Sequence, residues 1–164
     1  MRNFFLTSVL FLLACLPMMA QIEIDTKALL GTWTAKKDMA TAEVTYKKSG
    51  VQIYRIEFSA AQLQGSIVMK AQGTWRAEGN SLVQTLDPKT VSVKYSGSNS
   101  AIGQQIENMI RANSDKMISQ FGGSEGEFVL SDVVVADDLL IFTSQMPSMD
   151  GTTKDERVVM RRVK

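Results

Sequence analysis

The clearest pattern in the chain is an unbroken alternation of side-chain character over residues 66–77. One face of an extended segment carries Ile67, Met69, Ala71, Gly73 and Trp75, and the other carries Val68, Lys70, Gln72, Thr74 and Arg76. A period of two residues is typical of a β-strand with one buried and one solvated face. We therefore predict a strand here whose first face lines a core.

Shorter runs of the same kind predict further strands. They lie near residues 32–38, 41–47, 51–59, 81–87, 90–96, 126–136, 138–145 and 156–163, giving about nine strands in all. Turn-forming residues separate them; residues 47–50 and Asp87-Pro88-Lys89 each predict a tight hairpin. Strands this closely spaced leave no room for crossover helices, so we expect them to pair antiparallel.

The period changes to 3.6 residues over 101–121, which predicts one amphipathic helix inserted between strands. Ser100 or Asn99 can cap its start, and Gly122-Gly123 ends it. Its apolar stripe consists of Ile102, Ile106, Met109, Ile110, Met117, Ile118 and Phe121. We expect this stripe to pack on its own domain; a lid over an open end and a partner-docking surface are the alternatives.

Residues 1–20 have the form of a secretory signal peptide, with a basic start, a short apolar core and Ala20 at the expected cleavage point. The remaining residues, 21–164, form one domain, for which we predict a secreted or periplasmic location. The alternative is lipoprotein processing at Cys15, which would anchor the chain to a membrane. No later segment is long and apolar enough to span a bilayer.

The charge balance does not favour nucleic acid as a partner. The chain has 18 basic and 17 acidic residues, and removal of Arg2 with the leader makes them equal. Phosphate binding needs an excess of Lys and Arg on one surface, which this chain lacks.

Missing residue types exclude several chemistries. The chain has no histidine, and its single cysteine lies in the leader. This rules out metal sites built from Cys and His, and it rules out Ser-His and Cys-His catalysis. We expect no enzyme, no cofactor and no metal; a hydrolase or isomerase working with carboxylates and tyrosines is the remaining enzymatic alternative.

Two tripeptides, Gly31-Thr32-Trp33 and Gly73-Thr74-Trp75, hold both tryptophans of the chain. With the hairpin that follows the second, they resemble motifs of lipocalin-like (calycin) domains of small secreted bacterial proteins, over about residues 29–164. The resemblance implies an all-β fold with one inserted helix, a lipocalin-like antiparallel up-and-down barrel of about 8–9 strands. It also implies that Trp33 plugs one barrel end beneath a basic residue of the last strand, Arg161 or Arg162. The mid-chain helix and the missing interstrand disulfide depart from the family pattern.

Six residues are candidates for contact with a ligand inside such a barrel: Arg55, Met69, Trp75, Tyr95, Met160 and Arg162. The methionines suit an adaptable apolar pocket, although ordinary core packing explains them better. Trp75 suits core packing better than ligand contact. Arg55 lies on the less apolar face of its strand, so we expect it to point outward. It can bind a ligand carboxylate only if the strand register or a bulge turns it inward.

These features predict a non-enzymatic protein that holds a small apolar or amphipathic ligand in a β-barrel. The alternative is a structural or inhibitor-like envelope protein with a filled barrel, which acts on a protein partner through its loops or the face of its helix. The two differ in whether the barrel interior has room for a ligand.

Overall fold

The computed structural model describes residues 23–60, 64–97, 100–122, 127–147 and 153–164. The predicted signal peptide, with Cys15 and Ala20, lies outside the described residues. So do parts of two predicted connections, at residues 123–126 and 148–152.

Eight antiparallel strands form a closed barrel in which each strand pairs with its neighbours in sequence and β1 pairs with β8. The strands are β1 (Gly31–Lys37), β2 (Ala40–Tyr46), β3 (Val51–Ala60), β4 (Gly65–Glu78), β5 (Ser81–Gly97), β6 (Glu127–Ala136), β7 (Leu139–Pro147) and β8 (Thr153–Arg162). Two helices accompany them, a single turn α1 (Thr26–Leu29) before β1 and a long α2 (Ser100–Gly122) between β5 and β6. The prediction of an all-β barrel with one inserted helix is therefore confirmed.

The up-and-down path of the chain places its connections at two ends of the barrel. The turns at residues 47–50, 79–80 and 137–138 lie with α1 at one end, which we call the closed end. The turn at residues 38–39 and the start of α2 lie at the other, which we call the far end.

The main core fills the closed end of the barrel. Trp33 and Leu29 are completely buried there, and the Trp33 indole Nε1 donates a hydrogen bond to the Leu29 carbonyl at 2.8 Å. The Arg162 guanidinium lies over the indole, 4.1 Å from its centroid, and donates to the carbonyls of Leu30 and Ala28. Since α1 ends at these carbonyls, Arg162 ties the helix to the barrel and seals this end.

The prediction of two strands and a hairpin around Asp87-Pro88-Lys89 is wrong: residues 81–97 form one long strand, β5. Both of its halves pair with β4, and the register shifts between Lys70 and Gln72. The Thr90 hydroxyl bridges the shift, accepting from the Gln72 amide at 2.8 Å. Pro88, which lacks an amide proton, is tolerated because a bulge leaves residues out of the hydrogen-bonded ladder. The barrel therefore has eight strands.

Helix α2 packs on its own domain, as expected, mainly against β5. Strand β6 pairs with residues 82–85 of β5, and among the described residues the rest of that edge of β5 has no strand partner. The Glu107 carboxylate accepts a hydrogen bond from the Tyr95 amide on that edge at 3.0 Å, and buried Gly103 lies against the Tyr95 ring. The helix thus takes the place of a neighbouring strand. Met109, expected on the buried stripe, is instead 58% exposed.

Candidate functional site in the barrel interior

The inward face of every strand follows from Trp33 and the strand register. Trp33 pairs with Val44, Val44 with Tyr54, and Tyr54 with Ala71. Directly opposed residues point to the same side of a sheet, so this row and every second residue along each strand face the interior.

Burial of these inward residues falls from the closed end to the far end. Near the closed end, Val44, Tyr46, Leu82, Leu140 and Met160 are buried. Toward the far end, the inward residues of β3, β4 and β5 are apolar: Val93 is buried, Ile56, Ile67, Met69 and Tyr95 are half-buried, and Phe58 is exposed. We call this lining the far-end interior: Ile56, Ile67, Met69, Val93 and Tyr95. These inward apolar side chains therefore keep part of their surface accessible to solvent.

A layer of neutral polar groups lies between this lining and the core. The Tyr54 hydroxyl donates to Gln84 Oε1, and Gln84 Nε2 donates to the Tyr46 hydroxyl at 2.8 Å. Strand β4 separates β3 from β5 in the wall, so the bond from Tyr54 to Gln84 crosses the interior. The three side chains therefore form a cross-brace beneath the far-end interior.

Both tyrosines of the brace are held as neutral phenols. Burial raises the pKa of Tyr46 strongly, and the hydrogen bonds with Gln84 and Tyr54 offset part of this rise. Burial also raises the pKa of Tyr54 well above its ordinary value, and the neighbouring Tyr46 adds to the effect. A phenol with a raised pKa is a poor general base at neutral pH, so these groups can orient a ligand but do not supply a tyrosinate.

Gln52 adds a second buried polar side chain on β3. Its Nε2 donates to the Thr85 carbonyl at 3.0 Å, whereas its Oε1 has no hydrogen-bond partner among the described residues. Gly73, directly opposite Gln52 on β4, makes this contact sterically feasible, since a Cβ there would lie 1.7 Å from the Thr85 carbonyl oxygen.

The structure divides the six predicted candidates into four groups: the interior lining, a structural contact, the closed end and the outer wall. Met69 and Tyr95 both line the far-end interior. Trp75 packs edge-on against Tyr46, with ring centroids 5.6 Å apart, and donates to the Lys47 carbonyl at 3.2 Å, so its position is structural.

Met160 and Arg162 lie at the closed end, away from the far-end interior. Met160 is buried opposite Leu140 in the core, and the Arg162 guanidinium already donates to two backbone carbonyls. Arg162 therefore belongs to the seal of the barrel.

Arg55 lies on the outer face of the wall, as its alternation predicted. It forms ion pairs with Glu57 at 2.5 Å and with Glu43 at 3.5 Å. The bond to Glu57 is the main cause that raises the pKa of Arg55. This register removes Arg55 from the lining of the interior.

Sequence patterns did not reveal the polar brace. Gln52 and Gln84 stand at inward positions of strands that are otherwise apolar on that face, which is a usable sign of buried polar contacts. Their partners depend on contacts between strands that are not adjacent in the wall, and a single sequence carries no such information.

An ion pair marks the rim of the barrel near its seam. Strands β1 and β8 pair only at Trp33–Arg162 and Thr34–Arg161. Toward the far end, Lys37 and Glu156 bridge the two strands at 2.5 Å, and this bond raises the pKa of the Lys37 ammonium. Both side chains are well exposed, so the pair contributes little to stability.

Within the described ranges, no three His, Cys, Asp or Glu side chains are grouped closely enough to hold a metal ion. Neither helix in the described part of the chain combines the length and apolar character needed to cross a membrane. No protein-family model matches the chain, and no curated protein matches it in sequence.

Proposed function

We propose that the protein is a secreted or periplasmic, non-enzymatic binding protein that holds a small apolar or amphipathic molecule in the far-end interior. The proposal depends on the difference in burial between inward residues near the closed end and those toward the far end. Near the closed end Val44, Tyr46, Leu82, Leu140 and Met160 are buried, with Trp75 and Ala77 packed against them, whereas Ile56, Ile67, Met69 and Tyr95 remain half-buried. A filled barrel would bury both sets.

The chemistry of the lining supports an apolar ligand. Met69 is flexible and polarisable and adapts to ligands of different shape. The brace of Tyr46, Tyr54 and Gln84 supplies neutral groups beneath the apolar lining. Burial of apolar ligand surface would then be the main source of affinity, at about 25 cal/mol for each Å².

The closed end supports the resemblance to lipocalin-like domains. Arg162 of the last strand lies over Trp33 of the first, which is the arrangement that the resemblance implies. We propose membership of that group on this stack together with the eight-stranded closure.

An uncharged fluorescent probe, N-phenylnaphthylamine, tests the proposed binding. The purified protein should bind the probe and increase its fluorescence. Met69→Trp, which adds bulk to the far-end interior, should weaken binding by roughly tenfold or more, because a lining side chain then occupies the ligand's space.

Lys70→Trp is the matched control, since Lys70 is the outward neighbour of Met69 on the same strand. It should bind the probe like the unmodified chain. Equal binding by the Met69→Trp variant would place the ligand elsewhere. Failure of every variant to bind this probe and other apolar molecules would favour the alternative, a filled barrel that acts through its loops or the face of its helix.

A further inference from the structure

The outer face of β6, β7 and β8 differs from the rest of the barrel wall. Strands β3 and β4 carry charged outward residues such as Arg55, Lys70 and Arg76. The outward residues of β7 between its turn and Gln145 are uncharged: Leu139, Ile141, Thr143 and Gln145. The outward valines Val134 on β6 and Val159 on β8 are 47% and 48% exposed.

A depression of about 300 Å³ lies in this surface, lined by Asp132, Val134, Ile141, Phe142, Thr143 and Arg157. It forms where the β6–β7 register shifts between Ser131 and Val134, with Asp132 at a φ of 52°. The bulge sets residues of β6 out of line with β7 and opens the outer surface at that point.

Two opposite charges flank the depression. Asp132 on β6 makes only a hydrogen bond with the Asn80 side chain, at 3.3 Å, and forms no ion pair in the described part of the chain. Arg157 on β8 likewise forms no ion pair with any described residue. An acid and a base on one face, each without a partner of opposite charge, leave that face ready for a complementary surface.

Strand register places matching groups at equal heights on either side of β7. Val134 and Val159 both pair with Ile141, so these three residues form one row across the face. Thr143 pairs with Arg157 on one side and with Ser131, the neighbour of Asp132, on the other. Across the rows of Ile141 and Thr143 the face is therefore nearly symmetric about β7 in its apolar groups and opposite in its charges; Arg161 and Asp155 of β8 lie outside these rows.

We propose that this face binds a second copy of the chain, as an isologous dimer with its two-fold axis along β7. Rotation by half a turn about that axis sets Val134 against the partner copy's equivalent of Val159. It sets Asp132 against the partner copy's equivalent of Arg157. Each ion pair and each apolar contact then occurs twice, which is the property of a self-complementary surface.

The dimer should be weak and concentration-dependent. Three strands about 4.8 Å apart and about ten residues long present roughly 500 Å² on each copy. This lies at the small end of specific interfaces. The proposal concerns the outer wall and does not depend on a ligand inside the barrel.

Sedimentation equilibrium from about 1 µM to about 300 µM tests the proposal, because weak interfaces dissociate in this range. The unmodified chain should shift from monomer toward dimer. Val134→Lys should remain monomeric throughout. Met39→Lys is the matched control, since Met39 is an exposed apolar residue, 52% exposed, at the turn between β1 and β2; it should dimerise normally.

A charge exchange identifies the surface and its symmetry. Arg157→Glu gives a face with two acids and Asp132→Lys a face with two bases, so each alone should dimerise at least about tenfold more weakly. An equimolar mixture of the two should recover the dimer. A double variant with Asp132→Asn and Arg157→Glu tests the same contact without placing Lys at a positive φ, which Asn tolerates. The double variant should dimerise better than Arg157→Glu alone.

Three results would overturn the proposal. One is a chain that stays monomeric across the range, and another is a dimer that survives Val134→Lys. The third is a mixture of the two charge variants that dimerises no better than its components.

Discussion

The glycines of the two Gly-Thr-Trp tripeptides are needed for different reasons. Gly31 has a φ of 120°, which few other residues adopt, and a Cβ there would lie 2.9 Å from Arg162 Nη1. Gly73 instead allows close approach of backbone, since its absent Cβ would collide with the Thr85 carbonyl oxygen. The repeated tripeptide thus serves the closed-end seal at one site and the β4–β5 contact at the other.

Arg162 should stabilise the closed end more than its neighbour Arg161 does. Arg162→Met removes the contact with Trp33 and leaves the carbonyls of Leu30 and Ala28 without their charged donor. We expect a loss of about 2–3 kcal/mol in the free energy of unfolding, from hydrogen bonds to a charged group and the cation–π contact.

Urea denaturation measures this difference. Arg161 lies at the outward register position next to it and is exposed, so Arg161→Met should change the free energy of unfolding by less than about 0.5 kcal/mol. Equal effects of the two substitutions would show that the contact with Trp33 is not a source of stability.

The buried tyrosines should make stability depend on pH in the alkaline range. The pKa values of Tyr46 and Tyr54 are raised in the folded state above the ordinary value of about 10. Below that value both states are protonated and the contribution to stability is complete. As the pH rises above it, the unfolded chain loses protons that the folded chain keeps, so stability falls.

Tyrosinate absorbance in a Tyr95→Phe background checks this directly, because Tyr46 and Tyr54 are then the only tyrosines. The absorbance should appear together with loss of the near-ultraviolet circular dichroism of the fold. Ionisation near pH 10 in a chain that stays folded would contradict the buried brace.

At the scale of elements, helix α2 packs along the part of β5 for which the described ranges contain no strand partner. Its docking depends on Gly103, since a Cβ there would lie 2.3 Å from Cδ1 of the Tyr95 ring. An aromatic ring on a strand cannot move aside as a flexible side chain does, so the helix must shift.

Gly103→Ala should therefore weaken the docking of α2, although Ala is the better helix former by about 1 kcal/mol. The Tyr95 amide donates a hydrogen bond to the Glu107 carboxylate on α2, so its hydrogen exchange reports on the docking of the helix. This exchange should become faster. Gln104→Ala, at the exposed neighbouring position, should leave that exchange unchanged or slower. Slower exchange in Gly103→Ala would show that helix propensity outweighs the contact.

Local patterns predicted most elements but not the contacts between them. Alternation identified residues 66–77 as a strand, and the 3.6-residue period located the helix to within one residue at each end. The Asp87-Pro88 turn signal misled because a bulge and a hairpin use the same residue types. The bulge forms here, and not the hairpin, because both halves of β5 pair with β4. This pairing is a long-range contact that the local sequence does not show.

The candidate site was predictable only in part for the same reason. Met69 and Tyr95 were identified because each alternates with apolar neighbours within one strand. The brace of Tyr46, Tyr54 and Gln84 unites three strands, and only the register of the closed barrel brings them together.

At the scale of the whole molecule, the barrel is built from two unlike halves. The closed end holds Trp33, Leu29 and Arg162 in a sealed core. The far end keeps an apolar lining that is partly accessible, above a neutral polar brace. On the proposed function, the fold's stability and its ligand binding rest on different ends, so substitutions at Met69 should change binding with little effect on stability.

The most direct test compares two methionines inside the same barrel by nuclear magnetic resonance of labelled methyl groups. Met69 lines the far-end interior, and Met160 lies buried in the closed-end core. On titration with decanol, the Met69 methyl signal should shift and saturate, whereas the Met160 signal should stay in place. If the Met69 signal does not move, or if only the exposed Met109 responds, the interior takes no ligand and the account is contradicted.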